Sequence, residues 1–140
     1  MHQHYDEKIR KDYRRSNRHP KVVDKYFSPD TKTACWDKSK IIAGRDPSRW
    51  RLDAFGNPVF YFLKFCSGQY CYDFDHIVPI EKGGQNNLDN CQLLQASLMS
   101  LKGKKDNTTF SEMRNSSATK QLNDFEMDAL ENAVYGDIKR

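Results

Sequence analysis

No stretch of the 140-residue sequence approaches the roughly 18 apolar residues that a membrane-spanning helix needs, and the mean hydropathy is −0.90. No membrane association is expected. The residues following Met1, namely His2 and Gln3, lack the apolar region of a secretory signal, and Asp6 and Glu7 argue against a transit peptide. An intracellular setting is the expectation, with nuclear and cytoplasmic locations left open. None of the four cysteines, Cys35, Cys66, Cys71 and Cys91, forms a C-x-x-C pair. Reduced or buried thiols are therefore expected rather than a structural zinc; a looser site from Cys66, Cys71 and Cys35 is the lesser alternative. There is little net charge, since 23 Lys and Arg stand against 19 Asp and Glu, giving +4. That balance alone does not identify a polyanion partner. No recognition helix, RNP aromatic pattern or zinc finger is evident, so no target sequence can be read.

What is present is a polar chain with an aromatic core. Hydrophobic residues make up 37% and charged residues 30%, but 8 Phe, 7 Tyr and 2 Trp are too many for a wholly disordered chain. The length suits one domain that buries roughly two-thirds of its unfolded surface. Positive charge is concentrated at the front: residues 1–28 hold eight bases and four acids, whereas the last thirty residues hold four bases and six acids. Residues 1–28 read as a basic arm, either merely solvated or laid along nucleic-acid phosphates. Residues 29–140 read as the folded domain.

Local patterns give an α+β architecture. Phe55-Gly56-Asn57-Pro58 separates the run around Trp50-Arg51-Leu52 from Val59-Phe60-Tyr61-Phe62-Leu63, which predicts a hairpin over residues 49–65. Residues 72–80 alternate as a strand and stop at Gly83-Gly84, a polar loop follows over 85–89, and a helix is expected from Asn90, with Leu94, Leu98 and Leu101 on one face and Asp89 or Asn90 as its cap. Residues 103–117 read as a surface loop. A last amphipathic helix is expected over 118–134, with Leu122, Phe125, Ala129, Leu130 and Ala133 inward.

One constellation carries chemistry: Asp75-His76-Ile77-Val78-Pro79, Gly83-Gly84, Asn90-Cys91-Gln92-Leu93-Leu94 and Lys102-Gly103. It resembles the HNH endonuclease motif, whose ββα-metal fold lays a hairpin carrying Asp-His against a helix. The core of the resemblance spans about residues 66–106. Further pieces are similar to HNH proteins of plants and other eukaryotes: Cys35-Trp36, Gly44-Arg45-Asp46-Pro47, Arg49-Trp50-Arg51, Asp53-Ala54, Gly56-Asn57 and Ala133-Val134-Tyr135-Gly136-Asp137.

The resemblance implies a phosphodiester hydrolase acting on DNA, with RNA as the other nucleic acid. An imidazole with a pKa of about 6.5 can accept a proton from water at neutral pH, so His76 is the candidate general base. Asp75 matches a metal-ligand position with oxygen chemistry suited to Mg²⁺ or Mn²⁺ rather than Zn²⁺. Adjacent on a strand, it should point away from His76 unless the strand bulges or twists. Asn90 matches the residue that holds the loop backbone and orients the base, a role compatible with helix capping. Lys102, Lys104 and Lys105, with Arg49 and Arg51, are candidate nucleic-acid contacts.

One position departs from the family. Nine residues after Asn90, where the motif has His or Asn as second metal ligand, stands Met99, whose thioether is a poor ligand for a hard cation. Three readings follow: an active site with a weaker metal, a site that recruits Gln95, Asp73 or Asp106 instead, or a catalytically silent protein that binds nucleic acid or serves assembly. A place in a ribonucleoprotein, with the arm along RNA, is a further and lesser reading.

Overall fold

The computed structural model describes residues 25–104, 110–115, 117 and 121–136. The chain enters through Phe27, 4% exposed, and Ser28-Pro29 then opens helix α1 (Pro29–Lys38). Ser28 Oγ accepts from the Thr31 amide at 3.1 Å, and proline at the first position forfeits an amide that would have had no partner. Hydrophobic periodicity could not reveal this helix, because Cys35 and Trp36 are its only buried side chains. Phe27 joins the same core cluster as these two. The expected arm over 1–28 is corrected at its end, since residue 27 is part of the fold; residues 1–24 lie outside the described residues.

Strands β1 (Trp50–Leu52) and β2 (Pro58–Phe60) pair antiparallel, Trp50 opposite Phe60. Their turn is organised by Asp53, 5% exposed, whose Oδ1 accepts from the amides of Phe55 and Asn57 at 2.9 Å each. The hairpin expected over 49–65 is thus real but shorter. At Tyr61 the chain leaves the ladder for a 3-10 turn (Tyr61–Leu63), which exposes Tyr61 and Phe62 instead of continuing the strand.

Strands β3 (Tyr72–His76) and β4 (Cys91–Gln95) form a second antiparallel pair, running in register from Tyr72 opposite Gln95 to His76 opposite Cys91. Helix α2 (Ala96–Lys104) follows β4 directly. The helix expected from Asn90 therefore starts six residues later, and Asn90 does not cap it. The leucine spacing misled because Leu94, at the end of the strand, and Leu98, on the helix, are both buried in one cluster with Met113. Asp53 joins the two hairpins, because its Oδ2 accepts from the Gln95 amide at 3.0 Å.

A short helix α3 (Phe110–Asn115) interrupts the stretch expected to be loop. Helix α4 (Asp124–Tyr135) begins at a reciprocal cap between Asn123 and Glu126 and stops at Gly136, where φ is 61°. Its inward side carries Met127, Leu130, Glu131 and Val134, with Leu122 buried just ahead of it. The expected face is corrected: Phe125 is 81% exposed, and Ala129 and Ala133 are exposed too. Periodicity of apolar residues alone excluded Glu131, yet this carboxylate, 7% exposed, belongs to the inward side. It accepts from Trp50 Nε1 at 2.6 Å and pairs with Arg45 and Arg49 at 3.3 Å each. Arg45 also reaches Asp128 at 2.7 Å and Asp124 at 3.0 Å.

The cysteines divide into two pairs. Cys66 and Cys71 form a disulfide across a tight loop, Cα atoms 5.3 Å apart, which corrects the expectation of reduced thiols for this pair. Cys35 and Cys91 remain free and face each other in the core, where the hydrogen bond with Cys35 and then burial raise the Cys91 thiol. Among the described residues no helix is long and apolar enough to cross a membrane.

Removing the carboxylate of Glu131 leaves two arginines and an indole N–H facing an apolar gap. Glu131→Ala is expected to lower unfolding stability by about 3 kcal/mol, and Glu131→Gln, which keeps an acceptor for Trp50, by less. Urea denaturation checks both; a change under about 0.5 kcal/mol for the alanine variant would show that the network is solvated.

Candidate active site

The site forms where β3 ends. On leaving the strand, residues 77–90 loop back, and Asn90 fastens that loop with its side-chain amide. Its Oδ1 accepts from the Val78 amide at 2.8 Å, and its Nδ2 donates to the carbonyls of Val78 at 2.9 Å and Gln85 at 2.8 Å. Gly83, at φ 90°, makes the turn, and the Gly84 amide reaches the Pro79 carbonyl at 2.9 Å. A Cβ on Gly84 would overlap the Val78 carbonyl, so the loop closes only on glycine there.

His76 is held from two sides. Its Nε2 lies 2.8 Å from Asn86 Oδ1, while Asn86 Nδ2 donates to the Tyr26 carbonyl at 2.6 Å. Because that amide nitrogen is committed to a carbonyl, Oδ1 is the acceptor and His76 Nε2 the donor. The neutral ring then has Nδ1 as its basic nitrogen. The ring of Phe27 stacks on the imidazole, centroids 3.9 Å apart and planes inclined by 19°. Neither Asn86 nor Phe27 was singled out from sequence. Gln85 to Asp89 read as a generic polar loop, and Phe27 read as part of a solvated arm.

Asp75 and His76 line one cleft of about 210 Å³ together with Met99, Lys102 and Lys25. Alternation on the strand predicts opposite faces for the two. Both nevertheless line the cleft, at the end of β3 where the chain leaves the strand.

Asp75 is 13% exposed at its side chain, and its Oδ2 accepts from Lys102 Nζ at 2.6 Å and from Gln92 Nε2 at 2.9 Å. Lys102 Nζ also donates to the His76 carbonyl. The register that places Gln92 opposite Asp75 makes this contact, and the alternation of β4 was the missed signal. For a divalent ion these residues do not fit. A hard cation wants several oxygen donors, whereas Asp75 meets an ammonium and an amide N–H₂, the next helix presents the thioether of Met99, and although Glu81 also lines the cleft, no group of three His, Cys, Asp or Glu that could hold an ion is assembled among the described residues.

The other candidates separate. Gln95 is 2% exposed, packed near Asp53 and Ser97, and does not line the cleft. Asp73 does line the adjoining cavity with Asp75; burial pushes its carboxyl above the usual carboxylate range, opposed by the Phe74 amide and by Lys32. Arg51, 9% exposed, is consumed by the carbonyls of Pro47, Asp37 and Ser39 at 2.8, 3.0 and 2.9 Å. Arg49 pairs with Glu131, and its guanidinium lies 3.9 Å from the centroid of the Tyr135 ring. Both arginines therefore have structural contacts within the fold, and neither lines the cleft of Asp75 and His76. Lys105, Asp106 and the side chain of Lys104 lie outside the described residues.

Comparison with known families agrees with the motif. Residues 63–97, which hold β3, the Asn90-fastened loop and β4, match the model of the family described as HNH endonuclease. No curated protein and no solved structure matches the chain.

Asn90→Ala removes three hydrogen bonds to the loop at once. We expect a destabilisation of about 1–3 kcal/mol and faster amide hydrogen exchange at Val78, with little change at the β3–β4 ladder amides. Unchanged exchange at Val78 would show that the loop stands without the clamp.

Proposed function

We propose that this chain, with an HNH endonuclease segment over residues 63–97 as the premise, cleaves phosphodiester bonds of DNA, using His76 as general base and Lys102 as the cation at the reacting phosphate. The observation that carries this reading is the fixed imidazole of His76 beside the Lys102–Asp75 pair in one open cleft. Hydrolysis needs a proton acceptor for the attacking water and positive charge beside the phosphoryl oxygens. In the proposed step, water attacks phosphorus and its proton passes to Nδ1 of His76. The bond from phosphorus to the leaving oxygen breaks, and that oxygen takes a proton from solvent.

Lys102 supports the step through its donor count. An ammonium has three N–H groups; two are spent on Asp75 Oδ2 and the His76 carbonyl, which leaves the third for a phosphoryl oxygen. Asp75 then serves to position Lys102. The step is routed through no divalent ion because Asp75 already holds its cation.

The same ion pair favours a second reading, a silent protein that keeps the cleft for binding nucleic acid. A neutralised carboxylate with one lysine is a weaker electrostatic device than an ion with open coordination positions.

Nicking of supercoiled plasmid and cutting of a labelled single strand, measured with Mg²⁺, with Mn²⁺ and with EDTA, separate these readings when run beside His76→Ala. Nicking that persists in EDTA and falls at least about 100-fold in His76→Ala is the expected result. Nicking that EDTA abolishes and His76→Ala also abolishes would keep the nuclease and overturn the assignment of Lys102. No cutting of either substrate, or equal cutting by both proteins, would favour the silent binder.

A further inference from the structure

A second cavity of about 440 Å³ starts at Asp75 and His76 and runs away from the loop. It shares Lys32, Phe65 and Phe74 with a third, of about 300 Å³, which ends against Trp36, Tyr61 and Lys64. The two form one continuous groove that begins at the candidate active site, walled by aromatic rings and edged by lysines. Lys32 Nζ stands 4.7 Å from the centroid of Phe65, and Lys64 Nζ stands 4.1 Å from that of Tyr61.

Phe65 is the unusual element. It is the one non-glycine residue with positive φ among the described residues, at 62°, and the residue is 54% exposed. Bulky side chains avoid this region, and an exposed ring gains little burial in return. The conformation is held by the surroundings: the Phe65 amide donates to the Tyr72 carbonyl at 3.0 Å, and the Cys66–Cys71 disulfide closes the loop that follows. A strained backbone that fixes an exposed aromatic ring between two lysines, in a groove leading to His76, has the character of a preformed stacking platform.

We infer that this groove binds a single-stranded segment of nucleic acid, with an unpaired base on Phe65 and the flanking phosphates on Lys32 and Lys64. The inference rests on the phosphodiesterase reading and deepens it, naming the state of the substrate. Stacking on a side chain requires a base whose face is free, which a base inside a duplex does not offer. The charge agrees. Asp75 is neutralised by Lys102, so Lys25, Lys32 and Lys64 outweigh Asp73 along the groove. The opening of the groove onto His76 favours a polymer of phosphodiesters over an acidic peptide.

The test is fluorescence anisotropy of the full chain, in a His76→Ala background that prevents cleavage, with a single strand of about 12 nucleotides and with the duplex of the same sequence. Phe65→Gly is the decisive variant, because glycine suits the left-handed backbone and keeps the loop folded. We expect its affinity for the single strand to fall about tenfold, its affinity for the duplex to change little and its thermal midpoint to hold or rise. Lys32→Gln with Lys64→Gln should lower the slope of log affinity against log salt by about 1.4 for the single strand. Unchanged single-strand binding in both variants, or an equal fall for single strand and duplex, would overturn the assignment. Displacement by polyglutamate as effective as by unlabelled single strand would overturn it in favour of an acidic protein partner. The groove is separable from the chemistry: a chain that cuts neither plasmid nor single strand but loses single-strand binding in Phe65→Gly retains the groove and loses the nuclease.

Discussion

The ammonium of Lys102 sits where three parts of the molecule meet: the carboxylate of Asp75, the carbonyl of His76 and, through its own backbone, helix α2. Asp75 is largely withdrawn from water and would be costly to bury as a bare charge. Its partner comes from the helix that follows β4, so the pair fixes that helix to the end of β3. The cleft is then shaped by the same contact that balances its charge. The geometry of His76 depends on this end of the strand staying in place, since its carbonyl is one of the three points.

Around that pair the fold relies on a few polar side chains that each satisfy several backbone groups. Asp53 collects the amides of Phe55, Asn57 and Gln95 and so ties the first hairpin to β4. Asn90 fastens the loop beneath His76, and Asn86 joins the imidazole to the chain entering at Tyr26. Glu131 gathers Trp50, Arg45 and Arg49 against α4. These groups are buried or half-buried and multiply bonded, the condition under which polar interior groups specify one arrangement rather than merely cost desolvation. The apolar clusters fill the space between them.

The α+β class, the first hairpin, strand β3 and the Asp-His, Gly-Gly and Asn elements were legible in the sequence because each has a short-range signature. What escaped had its cause elsewhere in space. Cys91 to Gln95 read as helix because leucines four apart satisfy both a helix face and a strand-to-helix junction. Helix α1 has too few buried residues for periodicity to register, although Ser28-Pro29 marks its start. Glu131 was invisible to an apolar pattern since its burial depends on two arginines more than eighty residues away. In the site, the contact of Lys102 with Asp75 and the stacking of Phe27 on His76 are long-range pairings without a local signal. Charge alone likewise does not disclose that Arg51 meets three carbonyls and that Arg49 meets Glu131 and Tyr135.

Lys102 stands as the resident cation of the Asp75 carboxylate. The most direct test of that pairing is titration of the full chain with Mn²⁺, followed by loss of the free-ion electron paramagnetic resonance signal, for the wild type and for the double variant Met99→Asp, Lys102→Ala. The account predicts no stoichiometric uptake at micromolar Mn²⁺ by the wild type and a gain of uptake in the double variant, which removes the ammonium and adds a carboxylate. Uptake of one equivalent by the wild type at micromolar concentration would contradict it.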